Sequence, residues 1–228
     1  MERGKSAKGQ GAAKTSSNKQ SSRSMDKSGS MGKTGSMNKS ESMSKKESGS
    51  LLKQFFIEQL QDIYWAEKAL VKELPKMKKA TTTEELAEAI TEHVTVTEDQ
   101  VSRLEEVFDM MGETAKAKKC EAMEGLIKEA HSIIEETREG TATRDAAIIM
   151  AAQKVEHYEI ATYGGLVQLA KTIGMMDVAD LLAQTLAEEK DADQALTQIA
   201  EHNINEEGAQ EEEEGEQQME EGDEGEEE

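Results

Sequence analysis

The sequence predicts an all-α fold: an antiparallel four-helix bundle carrying one additional shorter helix. Three observations lead there. Between residues 51 and 205 apolar side chains recur every three or four positions, the period of a helix, and no segment alternates as a strand would. That stretch holds the chain's single proline, Pro75. Its long periodic segments are separated by short joins, the arrangement that packs neighbours antiparallel.

The first helix is expected from about Leu51 to Lys79, with Pro75 kinking or ending it. Thr82 and Glu85 have the spacing of a capping box and should open the second helix, which runs to about Met111 before Gly112. A shorter amphipathic helix over about Lys119–Arg138 should bury Met123, Leu126, Ile127, Ala130, Ile133 and Ile134 and stop at Gly140. Thr143 is the expected cap of the third long helix, ending near Gly174. Asp177 lies near the start of the fourth, which should reach about Asn203. The short helix then serves as the connection that sets the third long helix antiparallel to its neighbours.

Charge divides the 228 residues into three materials. Residues 1–50 carry 11 Lys and Arg against 4 acids, +7, and contain the repeat Met25-DKSGS, Met31-GKTGS, Met37-NKSES, Met43-SKKES. Such a low-complexity basic arm is too poor in apolar groups to order itself. Residues 206–228 carry 14 acids and no base, and like charge should keep this acidic tail extended. The body, 51–205, carries 16 bases and 30 acids, −14. A body of that sign does not favour nucleic acid, since affinity for phosphates comes from Lys and Arg that displace counterions. It does suit cations. Cys120 is the sole cysteine, which excludes an intrachain disulfide or a cysteine-built zinc site. No apolar run approaches the ~18–20 residues that span a bilayer, and the N-terminal stretch does not read as a secretory signal. A cytoplasmic protein without membrane contact is expected.

The middles of the helices carry the chemistry. On the first helix, Glu67 interrupts the stripe Leu60, Ile63, Leu70, Leu74. On the third long helix Glu156, Glu159 and Tyr163 fall within Ile149, Ala152, Val155, Ile160, Leu166, Ala170. On the fourth, Glu189 and Asp193 interrupt Leu182, Thr185, Leu196, Ala200. On the second, His93, Thr97 and Gln100 share the face of Leu86, Ile90, Val101, Leu104 and Phe108. Glu156 and Glu159 are i, i+3, and Glu189 and Asp193 are i, i+4, so each pair faces one way. Antiparallel packing would bring all of them to a common level.

Removing one carboxylate from water costs several kcal/mol, and five together repel one another. Protonation, water or bound cations can relieve this, and only cations turn the cost into a gain. An all-oxygen donor set with at most one imidazole selects iron or manganese, with magnesium a further candidate. The competing reading is that some of these acids lie on a solvated flank, since 48 acids leave some near an apolar stripe by chance. His157 points away from its stripe and reads as a surface residue, and His131 and His202 lack ligand partners at suitable spacing. Tyr64 and Tyr163 flank the acid level as donors to the carboxylates or as core aromatics. Cys120 reads as a packing residue.

The segments QDIYWAEKALVKELPKM, AQKVEHYEIATYGGL and LAEEKDAD, with KCEAMEGLIKEA between them, are similar to the YciE/YciF ferroxidase-like family of ferritin-like stress proteins. The similarity spans nearly all of 51–205 and neither tail. It implies a ferritin-like or rubrerythrin-like fold, a homodimer, a di-iron centre and a link to stress. Glu67, Glu156, Glu159, Glu189 and Asp193 match the family's inward acids. One departure concerns the second helix. After its histidine, His93 here, the family usually shows two acidic residues, where this chain has Thr95 and Val96, and Glu98 points away from the stripe. That helix would then supply only His93 or Gln100. The resemblance thus points to iron oxidation by dioxygen, and the departure points to a metal-poor dimeric scaffold with charged tails.

Overall fold

A computed structural model describes residues 50–211, so the expectations for the basic arm and for the tail from residue 212 onward lie outside the described residues. The first helix, α1 (Leu51–Ala80), begins where the Ser50 hydroxyl accepts from the Lys53 amide at 3.2 Å. It continues past Pro75 to Ala80, so of the two expected effects, a kink or an end, the end does not occur there. Pro75 is exposed, so water can serve the carbonyl left without a donor, while Leu74 and Met77 on the opposite side hold the last turns to the core.

Helix α2 (Glu84–Met111) is not opened by the Thr82–Glu85 box. Thr83 is its cap residue, and the capping acceptor comes from another helix. The fully buried Asp145 carboxylate accepts from the Thr82 amide (2.7 Å), the Thr83 amide (2.8 Å) and the Thr83 hydroxyl (2.7 Å). Charge-assisted bonds to a buried carboxylate outweigh what a solvated local box supplies. Replacing Asp145 by alanine should therefore lower stability by about 3 kcal/mol, read from the urea midpoint, and asparagine should recover part of the loss. At its far end α2 stops as expected, with Gly112 in the left-handed region (φ 68°) and the Glu113 amide returning to the Phe108 carbonyl.

Helix α3 (Glu121–Glu136) is capped by Cys120, whose sulfur accepts from the Met123 amide at 3.3 Å. It is shorter than expected at both ends, and it fully buries only Met123 and Ala130. Leu126, Ile127, Ile133 and Ile134 are half-buried against the core, because α3 lies on the outside of α4 and α1.

Helix α4 (Ala142–Thr172) is capped by Thr141, two residues before the predicted Thr143. The Thr141 hydroxyl caps the Arg144 amide (3.1 Å), and Glu211 takes the Ala142 and Thr143 amides (2.8 and 3.0 Å). Helix α5 (Met176–Ile199) continues through a π-helical turn, Ala200–Ile204, into the short α6 (Asn205–Gly208), beyond the expected end.

Helices α1, α2, α4 and α5 form the bundle, α1 packing on α2 and α4, and α5 on α4 and α2. Short joins make α1 antiparallel to α2 and α4 antiparallel to α5. The contacts of Thr82 and Thr83 with Asp145 place the end of α1 beside the start of α4, so those two are antiparallel as well. The connection through α3 thus reverses the order that a plain up-and-down bundle would have. Phe56, Leu60, Leu104, Phe108, Met123, Ile148 and Leu166 are fully buried and fill the core. Among the described residues no helix is long and apolar enough to cross a membrane.

Candidate metal centre

Each of the four bundle helices sends a side chain to one level of the axis. Glu67 of α1, Glu156 and Glu159 of α4 and Glu189 of α5 are between 0 % and 3 % exposed. His93 of α2 joins them from the edge, its Nε2 lying 3.3 Å from a Glu156 oxygen. These side chains form two groups, His93–Glu156–Glu189 and Glu67–Glu159–Glu189, each with its ligand atoms within 4.8 Å of one another. Glu189 belongs to both.

Helical phase explains the convergence. Glu67 sits one turn after Ile63 and one before Leu70, both in the core, so the stripe that buries them buries it. Glu156 and Glu159 lie between buried Val155 and Tyr163 on the same face of α4. The fully buried Tyr163 hydroxyl donates to Glu67, which settles its role as a donor to the cluster. Tyr64 turns the other way and donates to Glu105 at 2.6 Å.

Asp193 lies outside both groups. Its side chain is 24 % exposed and its Oδ1 accepts from Gln153 Nε2 (3.1 Å) and faces His157 Nε2 (3.3 Å). One turn beyond Glu189 along α5, it has left the buried level and is satisfied by polar groups of α4. His157 is itself exposed, as expected. On α2, Thr95 is exposed and Val96 half-buried, and Glu98 faces solvent. The buried polar residues of α2 are Thr97, whose hydroxyl returns to the His93 carbonyl, and Gln100. Helix α2 therefore brings an imidazole and an amide to the centre, and no carboxylate.

A neighbouring arrangement was not expected from the sequence. Arg103 grips Glu188 with both nitrogens (2.7 and 2.8 Å) and also donates to the Thr185 hydroxyl, while Gln100 Nε2 donates to the same carboxylate at 3.2 Å. Gln100 and Arg103, three apart on α2, carried the signal. On the α3 side, Tyr158 donates to Asp62 (3.1 Å) and meets the Cys120 sulfur at 3.0 Å.

Electrostatics make the cluster costly without a cation. Burial raises Glu156 from 4.5 to about 8, with Glu67 adding repulsion. Burial and then Glu156 raise Glu189 to about 9. Burial and repulsion from Glu189 push Glu67 well above the carboxylate range, and burial and repulsion from Glu67 do the same to Glu159. Burial lowers His93 from 6.5 to about 4, so it is a neutral imidazole at physiological pH with a lone pair to offer. Among the described residues, five buried oxygens of these four glutamates have no hydrogen-bond partner, including both of Glu189. Leaving such groups unserved costs about 1–3 kcal/mol each. The donors are carboxylate oxygens and one imidazole, the set that iron or manganese takes.

Comparison with known proteins bears on the whole helical body. Residues 51–209 match the family model described as domain of unknown function DUF892. Protein YciF of Escherichia coli (strain K12) is 46% identical over 155 residues, 68% of this chain and 93% of that protein. The crystal structure of the E. coli stress protein YciF superposes with a TM-score of 0.66 at 45% identity, covering 69% of this chain and 99% of that one. YcfI, described as a proposed structural protein, from Rhodopseudomonas palustris, gives 0.64 at 38% identity over 67% and 96%. A protein of Xanthomonas campestris pv. campestris shares the fold at 21% identity, with a TM-score of 0.52 over 68% and 94% of the two chains. The chain belongs to the DUF892 family, the family of YciF-like helical proteins.

Proposed function

We propose that this protein takes two ferrous ions into the bundle axis and oxidises them with dioxygen. The observation that carries the reading is the set of five unpartnered carboxylate oxygens, buried on four glutamates and gathered into two ligand groups that share Glu189. His93, Glu156 and Glu189 would hold one ion, and Glu67, Glu159 and Glu189 the other. Two Fe(II) give up one electron each, and dioxygen takes both electrons and two protons to leave as hydrogen peroxide. The chain's own contribution is positional. Tyr163 fixes one oxygen of Glu67, so the other is left to the ion. Arg103 pairs with Glu188 and offsets part of the repulsion that Glu188 adds to the cluster. The hard anionic oxygens of the four glutamates favour the ferric product over the ferrous.

Anaerobic titration of the metal-free protein with Fe(II), followed by air, tests this. Two ions per chain should bind, and ferric absorbance should then grow faster than in a buffer control. At free metal a hundredfold above Kd, native-state binding should also add about 2.7 kcal/mol of stability for each site filled. Absorbance growth no faster than in buffer would remove the oxidase reading.

A second reading has its own support: α2 brings no carboxylate to the axis, and one relative is described as structural. A metal-poor helical scaffold would contain almost no iron or manganese when purified without chelator, and its melting temperature would not respond to either ion.

A further inference from the structure

A cleft of about 300 Å³ leads from the surface to the cluster, lined by residues of all four bundle helices. Its walls are aliphatic, with Leu74 and Met77, Ile90 and Val96, Ala192 and Leu196 prominent among them. Apart from Glu188, which Arg103 holds in an ion pair, its polar residues fall into two sets. Glu92 of α2 and Asp191 of α5 are exposed and, among the described residues, make no ion pair. His93 and Glu156 are the inner set; Glu156 is 3 % exposed and its Oε2 has no partner. The remaining ligands are more enclosed. Glu67, Glu159 and Glu189 are at most 1 % exposed and do not line the cleft, and the Tyr163 hydroxyl donates to Glu67 from the α4 side.

Resting on the reading of the cluster as a metal centre, we propose that this cleft is the route by which divalent ions enter. Glu92 and Asp191 draw the hydrated ion to the mouth, His93 and Glu156 receive it, and Glu189 passes it inward to Glu67 and Glu159. The aliphatic walls are part of the device. Low-dielectric walls around charges of one sign concentrate the field along the opening, and such focusing raises association rates by about 10–10³. Because His93 and Glu156 line the cleft and Glu67, Glu159 and Glu189 do not, the His93 group is passed first and the inner group fills through it.

Stopped-flow mixing of the full-length, metal-free protein with Co(II), followed by visible absorbance, tests the route without any turnover. Three proteins are compared: wild type, the surface double variant Glu92→Gln/Asp191→Asn, and Ala192→Leu, which narrows the cleft. The double variant should load at least tenfold more slowly at low salt, with the gap closing as salt screens the mouth. Ala192→Leu should be slow at every salt concentration. Both should reach the wild-type stoichiometry, and circular dichroism should report unchanged helix content. Wild-type rates in both variants at full stoichiometry would overturn the route and leave the metal centre standing. A wild-type protein that takes up no Co(II) would overturn both.

Discussion

Glu189→Gln should abolish metal binding altogether while making the metal-free protein more stable. Glu189 is the one side chain common to both ligand groups, so its loss leaves neither with three donors, and no divalent ion should raise the melting temperature of the variant. His93→Ala removes a donor from one group only, and should halve the stoichiometry instead. The gain in stability has a separate cause. In the unfolded chain Glu189 ionises near 4.5, whereas in the fold it holds its proton up to about 9. At pH 7 the wild type must keep protonated a group that the unfolded chain would ionise, a cost on the order of 3 kcal/mol that the neutral amide avoids. Denaturant titrations of the two proteins in chelator measure it. A variant less stable than wild type, or one that still binds two ions, would contradict the placement of Glu189.

The metal-free protein should lose stability as pH rises, with the opposite trend from most acidic proteins. Glu156 titrates at about 8 in the fold and near 4.5 when unfolded, and Glu189 behaves alike at about 9. Between the unfolded and folded values the unfolded chain has released protons that the folded chain retains. Stability from these groups is therefore full below about 4.5, declines through the interval, and levels off above about 9. Glu156 alone is worth on the order of 5 kcal/mol across it. His93 acts in the other direction, since its folded value of about 4 lies below 6.5, and it costs stability as pH falls through that range. The window from 6.5 to 9 is thus free of the histidine. Urea midpoints measured there in chelator should fall steeply, and anaerobic Mn(II) should flatten the curve by holding the carboxylates ionised. A flat curve in chelator would mean that the four glutamates reach water.

Much of this was legible in the sequence because helices report their buried face through phase alone. Glu67, Glu156, Glu159 and Glu189 each sit where the stripe demands an apolar residue, and each is buried. Phase fails at the edges. Asp193 shares its face with Glu189 by spacing, but one turn carries it past the enclosed level to Gln153 and His157. Glu188, next to Glu189, points toward α2, and only the neighbour's Arg103 reveals why an acid stands there. Caps fail for a related reason. The acceptor for the start of α2 is Asp145, 62 residues further along the chain, and no local box announces it. Pro75 misled because its effect on a helix depends on which side faces water, a property of the tertiary packing.

The Glu211 carboxylate holds the first two amides of α4 although it lies three residues beyond the last helix. The folded unit therefore includes a side chain that lies beyond the last helical turn. A version trimmed at residue 205, where the periodic pattern fades, would keep every long helix and still leave the opening of α4 frayed. That opening supports Asp145, and through it the hinge between α1 and α2. The acidic segment after the last long helix thus contributes a structural component, Glu211.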